Sequence, residues 1–189
     1  MRQPLTRAQA LHISALSVWL TALVVGAASA ILGFRTMRQQ EPTLPGFAGY
    51  EGEHWRLLAG YMADRVFLMV DAVGVVAVLV AGMTLAVGVA RGLRIGRIGA
   101  LVRAAAVLLS AAVLSANIFL VRPLLDQAVT EYREAAMAGD TTTALQKRDR
   151  YDQRHAIARS MMTGLAALVA VALIGAIAQA GRPAQKDEP

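Results

Sequence analysis

The apolar positions of this chain fall into four blocks, with the charges gathered between them. No residue with a formal charge lies between Arg7 and Arg35, between Arg103 and Arg122, or between Arg159 and Arg182, and Asp71 alone lies between Arg65 and Arg91. A helix needs about 20 mostly apolar residues to cross the ~30 Å hydrocarbon core of a bilayer. Windows of that length occur at 11–34, 66–90, 101–121 and 157–180. Lipid offers no partner to a free backbone N–H or C=O, so each window is expected to be helical. The predicted fold is all-α: a polytopic four-transmembrane-helix bundle forming one domain over residues 1–189.

Two windows need a closer look. An aspartate costs roughly 3 kcal/mol at the centre of an inserting helix, while each Leu, Ile, Val or Phe contributes about −0.3 to −0.6 kcal/mol. Val66, Phe67, Leu68, Val75, Val76 and their apolar neighbours outweigh Asp71, which lies toward the end of its window. Before the first window stand Arg2 and Arg7, and Ala28-Ser29-Ala30 has the small-x-small form of a signal-peptidase site. A cleaved signal has an apolar region of about 7–15 residues, shorter than this one. The first window is therefore read as an uncleaved span.

The connections carry the remaining pattern. Residues 35–65 open with Pro42, Pro45, Gly46, Gly49 and Gly52, which break any long helix. Trp55, Leu58 and Met62 then recur at helical spacing, a lead-in to the second span. Trp55 and Tyr61 are candidate interface anchors, since an amphipathic ring prefers the headgroup level. After Pro123, Leu125, Val129, Tyr132 and Ala136 share one helical face, and Gly139-Asp140 marks a turn. Thr143-Ala144-Leu145-Gln146 has the form of a capping box, so another helix begins there. The third and fourth helices are thus expected to extend beyond the membrane as an antiparallel hairpin over about residues 123–156. Leu125, Val129, Tyr132 and Tyr151 on it are candidates for docking a partner.

Polar residues within the spans are few. Asp71 lies six residues past Arg65, Asn117 five before Arg122, and Arg159 enters from the same side. At 1.5 Å per residue these depths agree at about 7–9 Å. His155 stands four residues before Arg159, on the same helix face. Asp71, Asn117, His155 and Arg159 are therefore expected to form one polar cluster, with Asp71 paired to Arg159. An intramembrane acid of this kind either fixes helix packing through an ion pair or handles a proton or ion.

Composition narrows the chemistry. Hydrophobic residues make up 56% of the chain and charged ones 17%, which excludes an ordinary soluble domain. With no cysteine, disulfides and thiolate chemistry are excluded as well. The net charge of +6 belongs to arginines flanking the spans, where they set topology and meet anionic lipid. Nucleic-acid binding would need a basic face with stacking aromatics, and the aromatics are few and scattered. Eight basic residues crowd the short segments formed by the N-terminal stub, the 91–103 loop and the tail. Eleven on the opposite side are spread among most of the acids. Density therefore places both termini in the cytoplasm, and 17 arginines against two lysines suggest a GC-rich coding sequence and a bacterial inner membrane. No zinc-protease, nucleophile-elbow, P-loop or dinucleotide motif occurs, and His12, His54 and His155 lie in separate segments. No enzyme, metal or cofactor is expected.

The stretch Asn117-Ile118-Phe119-Leu120-Val121-Arg122-Pro123, the charged helix after it, Tyr151-Asp152-Gln153-Arg154-His155, and Leu58-Ala59-Gly60-Tyr61-Met62 together resemble a family. It is the four-span domain-of-unknown-function family that includes the transmembrane-protein-205-like proteins. Arg35-Thr36-Met37-Arg38 departs from that family's usual proline after the first span. The resemblance implies four spans and carries over no enzymatic activity. The expectation is an integral membrane protein acting as a non-catalytic accessory subunit, with the bilayer and a protein partner or a second copy as its contacts. The alternative is a small transporter or permeability factor centred on Asp71.

Overall fold

The computed structural model describes residues 5–90 and 98–180. They form α1 (Arg7–Gln40), α2 (His54–Ala90), α3 (Ile98–Ala116), α4 (Arg122–Met137) and α5 (Thr141–Ala180). A 3-10 turn at Pro45–Phe47 and a π-helical segment at Asn117–Val121 complete the elements, and no strand occurs among the described residues. Four stretches are long and apolar enough to span a membrane: α1, α2, α3 through α4, and α5. All four apolar windows are helical, and each helix runs past its window. Arg2, Arg91, Arg94, Arg97, Arg182 and Lys186, which carry most of the orientation argument, lie outside the described residues.

Each helix buries a narrow stripe and exposes large apolar side chains elsewhere. On α1 the buried positions are His12, Leu16, Trp19, Leu23 and Gly26, at alternating spacings of four and three. Val18, Val25, Ile31 and Leu32 on the same helix are all more than half exposed, as are Met69, Val76, Leu79 and Met83 on α2. Small residues fill the inside, among them Ala77, Ala81, Ala172 and Ala176. Large apolar residues outside and small ones inside are what lipid as solvent selects, because close backbone approach drives packing there. On α2 the buried small residues Gly74, Ala77 and Ala81 follow the same spacing. Steps of four drift round a 3.6-residue helix, while the 3-and-4 alternation stays on one face.

The chain forms two compact units. One comprises Met1–Ala22, Ala72–Leu114 and Gly164–Pro189; the other comprises Leu23–Asp71 and Ser115–Thr163. The first draws on α1, α2, α3 and α5, around Leu16, Trp19, Leu165 and Val169. Gly74 makes room there for Trp19, whose Nε1 would lie 2.8 Å from a Cβ at that position.

The second unit draws on α1, α2, α4 and α5 together with the connection after α1. Glu41 takes a left-handed conformation (φ 43°) and ends α1 with its N–H on the Met37 carbonyl. The breaker-rich stretch that follows packs rather than hangs free. Phe47 and Tyr50 join Leu57, Tyr132, Ala136 and Ala144 in one core. Gly139 (φ 75°) turns the chain between α4 and α5, and a Cβ on Gly49 would sit 3.1 Å from its Cα. The start of α5 is capped by Asp140, whose Oδ1 accepts the Thr143 N–H at 3.0 Å. The expected capping box at Thr143 is thus replaced by a cap three residues earlier, because the acid beside the turn reaches the free N–H groups first.

Gly26 supplies a direct test. A Cβ there would lie 2.6 Å from Val70 Cγ2, whereas one at Gly33 would meet no atom within 4 Å. Gly26→Leu is expected to lower stability by about 1–3 kcal/mol. Gly33→Leu should leave it within about 0.5 kcal/mol, both read by thermal unfolding in mild detergent.

Candidate functional site

Asp71 on α2 is 6% exposed and Asn117, at the start of the π-helical segment, is 8% exposed. Asn117 Nδ2 donates to Asp71 Oδ1 at 3.3 Å, and Arg122 Nη1 donates to Asp71 Oδ2 at 2.5 Å. Both carboxylate oxygens are therefore engaged. The guanidinium keeps a quarter of its side-chain surface exposed while the carboxylate has 8%, so the pair sits at the rim of the buried region.

Local backbone geometry explains how one short segment supplies both partners. In an α-helix, residues five apart point about 140° away from one another. Here the Arg122 N–H bonds back to the Asn117 carbonyl, a five-residue turn. That wider turn takes in an extra residue and brings positions 117 and 122 close to register, so both side chains meet Asp71. Turns of this kind inside α-helices gather at functional positions. Pro123 follows in the first turn of α4, where its missing N–H breaks no bond.

The expected cluster is thus divided. Asp71 and Asn117 come together as expected, but the cation is Arg122 rather than Arg159. Arg159 is exposed, and its carbonyl accepts Thr163 Oγ1 at 2.9 Å. His155 stacks on Tyr151, with ring centroids 5.5 Å apart. Its ring is held below the ordinary imidazole range, first by burial and then by the charge of Arg159, against the opposing pull of Asp152 and Asp64. Strict α-helical spacing hid Arg122, since it would have pointed away from Asn117. The Asn-x-x-x-x-Arg-Pro run is the only trace of the π turn in the sequence.

The docking candidates are mostly consumed within the chain. Val129 is 7% exposed and Tyr132 4%, while Leu125 and Tyr151 are half-buried. Tyr132 donates to or accepts from the Tyr50 hydroxyl at 3.0 Å, and burial together with that bond holds its phenol well above the usual range. Burial likewise pushes Tyr151 up to about 12. The apolar stripe of α4 was expected to await a partner; at Tyr132 and Ala136 the 41–53 connection covers it instead. His54 locks that connection. Its Nδ1 accepts the Leu44 N–H at 2.9 Å, so its Nε2 carries the hydrogen and donates to the Tyr50 carbonyl at 2.8 Å.

Trp55 and Tyr61 sit in protein contacts. Trp55 meets Phe34 edge-on at 6.2 Å. Arg133 lies 3.8 Å over the Tyr61 ring and bonds Asp64 at 2.9 Å. Tyr61 keeps 43% of its surface exposed, which still allows an anchor's position. Ion pairs join the same elements on the outside, Arg56 with Asp152 at 3.2 Å and Lys147 with Glu131 at 2.6 Å. Each exposed pair contributes little alone, at most about 1 kcal/mol. Among the described residues no three His, Asp or Glu side chains gather as a metal site would require.

The other unit holds polar groups that the sequence reading set aside. His12 is 4% exposed, with Nδ1 2.8 Å from Thr84 Oγ1, and Arg103 on α3 is 7% exposed. Nε2 of His12, Nε of Arg103, Oγ of Ser110 and Nε1 of Trp19 are buried without a hydrogen-bond partner among the described residues.

No family model, curated protein or solved structure matches this chain. The resemblance to the four-span family therefore rests on the residues quoted for it.

Two outcomes follow from this geometry. Asp71→Ala leaves Arg122 without its counter-charge and is expected to cost about 3–5 kcal/mol, while Asp71→Leu with Arg122→Met should recover most of it, measured by thermal unfolding in detergent. For His155 the folded ring binds its proton less readily than the unfolded one. Stability should therefore fall as pH drops below about 6.5 and level off below the folded-state value. A His155→Gln variant should show a flatter pH profile over that window.

Proposed function

We propose that this is an integral protein of a bacterial inner membrane, with both termini in the cytoplasm, acting without catalysis as an accessory subunit of a membrane assembly. The helices carry exposed Val, Leu, Ile and Met side chains that suit lipid or a neighbouring helix. The observation that carries the accessory reading is the bracing of the α4–α5 hairpin. The 41–53 connection, the Tyr50–Tyr132 contact and the ion pairs from Arg56, Arg133 and Lys147 hold it in one shape. On this reading the hairpin projects from the membrane and meets its partner through the exposed, charged outer face around Asp149 and Gln153 rather than through the apolar stripe. A shape held before binding loses little entropy on docking.

Asp71 fits this reading as a packing lock, because both its oxygens are already bonded. The transporter reading draws on one observation, the π turn at a buried ion pair, where a change of helical register would release the carboxylate.

Purification from native membranes in mild detergent separates them. The accessory reading expects a partner in fixed ratio, lost on charge reversal at Asp149, and no proton or ion flux from the pure protein in liposomes. Flux from the pure protein that disappears in Asp71→Leu/Arg122→Met would establish transport instead.

A further inference from the structure

Residues 44–50, between α1 and α2, form a short turn whose two ends meet on one ring. The Phe47 N–H bonds the Leu44 carbonyl and the Tyr50 N–H bonds the Phe47 carbonyl, each at 2.9 Å. His54, the first residue of α2, spans this turn. Its Nδ1 accepts the Leu44 N–H at 2.9 Å, and its Nε2 donates to the Tyr50 carbonyl at 2.8 Å. The ring also stacks on Tyr50, with centroids 5.7 Å apart. The turn so held lays Phe47 and Tyr50 over Tyr132, Ala136 and Ala144.

This arrangement requires a neutral imidazole. A neutral ring has one accepting and one donating nitrogen, whereas an imidazolium has two donors and no acceptor. After protonation the Leu44 N–H faces an N–H, whichever way the ring is turned over. The other attachments of the turn carry no such condition. The Glu51 N–H bonds Thr141 Oγ1 at 3.0 Å, the Tyr50 and Tyr132 hydroxyls meet at 3.0 Å, and Gly49 lies against the Gly139 backbone. None of these groups titrates between pH 5 and 8.

The charged side chains on the surrounding elements are already paired among themselves in large part. Glu53, next to His54 in the chain, is shared by Arg56 of α2 at 3.4 Å and Arg148 of α5 at 3.6 Å. Arg56 also bonds Asp152 of α5 at 3.2 Å. On α4, Glu131 and Arg133 flank Tyr132 and pair with Lys147 and Asp64. Arg38 and Glu41 end α1, and Glu51 lies in the connection. An imidazolium drawn toward Glu51 or Glu53 would leave both Leu44 and Tyr50, which frees the turn just the same.

We propose that His54 is a pH-sensitive latch, whose protonation unfastens residues 44–50 from the α4–α5 hairpin and uncovers Tyr132, Ala136 and Ala144. The closed form keeps the proton off Nδ1, so the open fraction rises as pH falls through the imidazole range. With an ordinary imidazole in the open form and no added proton in the closed one, that rise reaches about 30-fold between pH 8 and pH 5.

Hydrogen exchange of the full chain in phosphatidylcholine nanodiscs reads the latch by mass spectrometry at both pH values, after correction for the intrinsic exchange rate. In the wild type the amides of residues 44–51 are expected to exchange about 10–30 times faster at pH 5, while those of residues 66–71 keep their rate. His54→Gln retains an accepting oxygen and a donating nitrogen at every pH, so its change should stay within about twofold. His12→Gln/His155→Gln leaves His54 as the one histidine and should respond as the wild type does. The proposal is overturned if the wild-type change is below about threefold, or if residues 66–71 quicken in step and the unit unfolds as a whole. It is equally overturned if His54→Gln opens like the wild type, or if the double variant loses the response. Should His54→Gln not fold, the double variant decides alone.

Discussion

A carboxylate among apolar helices persists only while a cation and a second donor stay with it, and the Asp71 contacts meet that requirement from one neighbouring segment. Asn117 takes one oxygen and Arg122 the other. The π turn between them is the price of that convergence, since a regular helix would aim the two side chains in different directions. The distortion also places Pro123 where a helix tolerates it, at the first turn of α4. One buried charge thus accounts for the backbone irregularity, the placement of the Asn117–Val121 segment against Asp71, and the point where the charged helix begins.

The four long apolar helices were legible because long windows with at most one charge leave a coarse mark, one that an ordinary soluble core of this size does not carry. The turn at Gly139 was legible for a similar reason, since only a few residues accept a positive φ. Arg122 was not legible, because periodicity arguments assume one helical type throughout. The role of the 41–53 connection was hidden differently. Proline and glycine say where a chain cannot be helical, and nothing in them says that Phe47 and Tyr50 will fold back over Tyr132. His12 was dismissed for lying apart from the other histidines, yet its partner, Thr84, is a residue type that no histidine-counting rule would collect.

The two units solve the same electrostatic problem in opposite ways. One supplies its own acid, and that buried carboxylate, Asp71, is matched by Arg122 and Asn117. The other buries Arg103 and His12 and has no carboxylate among its described residues. A protein that needed Arg103 only for packing would gain by replacing it with Met or Leu, since apolar substitutes for buried charges are commonly neutral or stabilising. The first carbons of the Arg103 side chain lie within ordinary contact distance of a Cβ built on Gly175.

The covered part of the α4 stripe bears on how a pair of charged helices can stay ordered in so small a chain. A two-helix hairpin in water exposes one apolar face and has too little core to stay ordered alone. Here the connection after α1 supplies the third side: Phe47, Tyr50 and Leu44 close over Tyr132, Ala135 and Ala136. His54 fixes that cover through two hydrogen bonds to its backbone, one from Leu44 and one to Tyr50. Truncating either aromatic would therefore loosen the hairpin as a whole rather than a single contact. The hairpin surface left exposed is then mainly polar and charged, with Asp149, Asp152 and Gln153 on it.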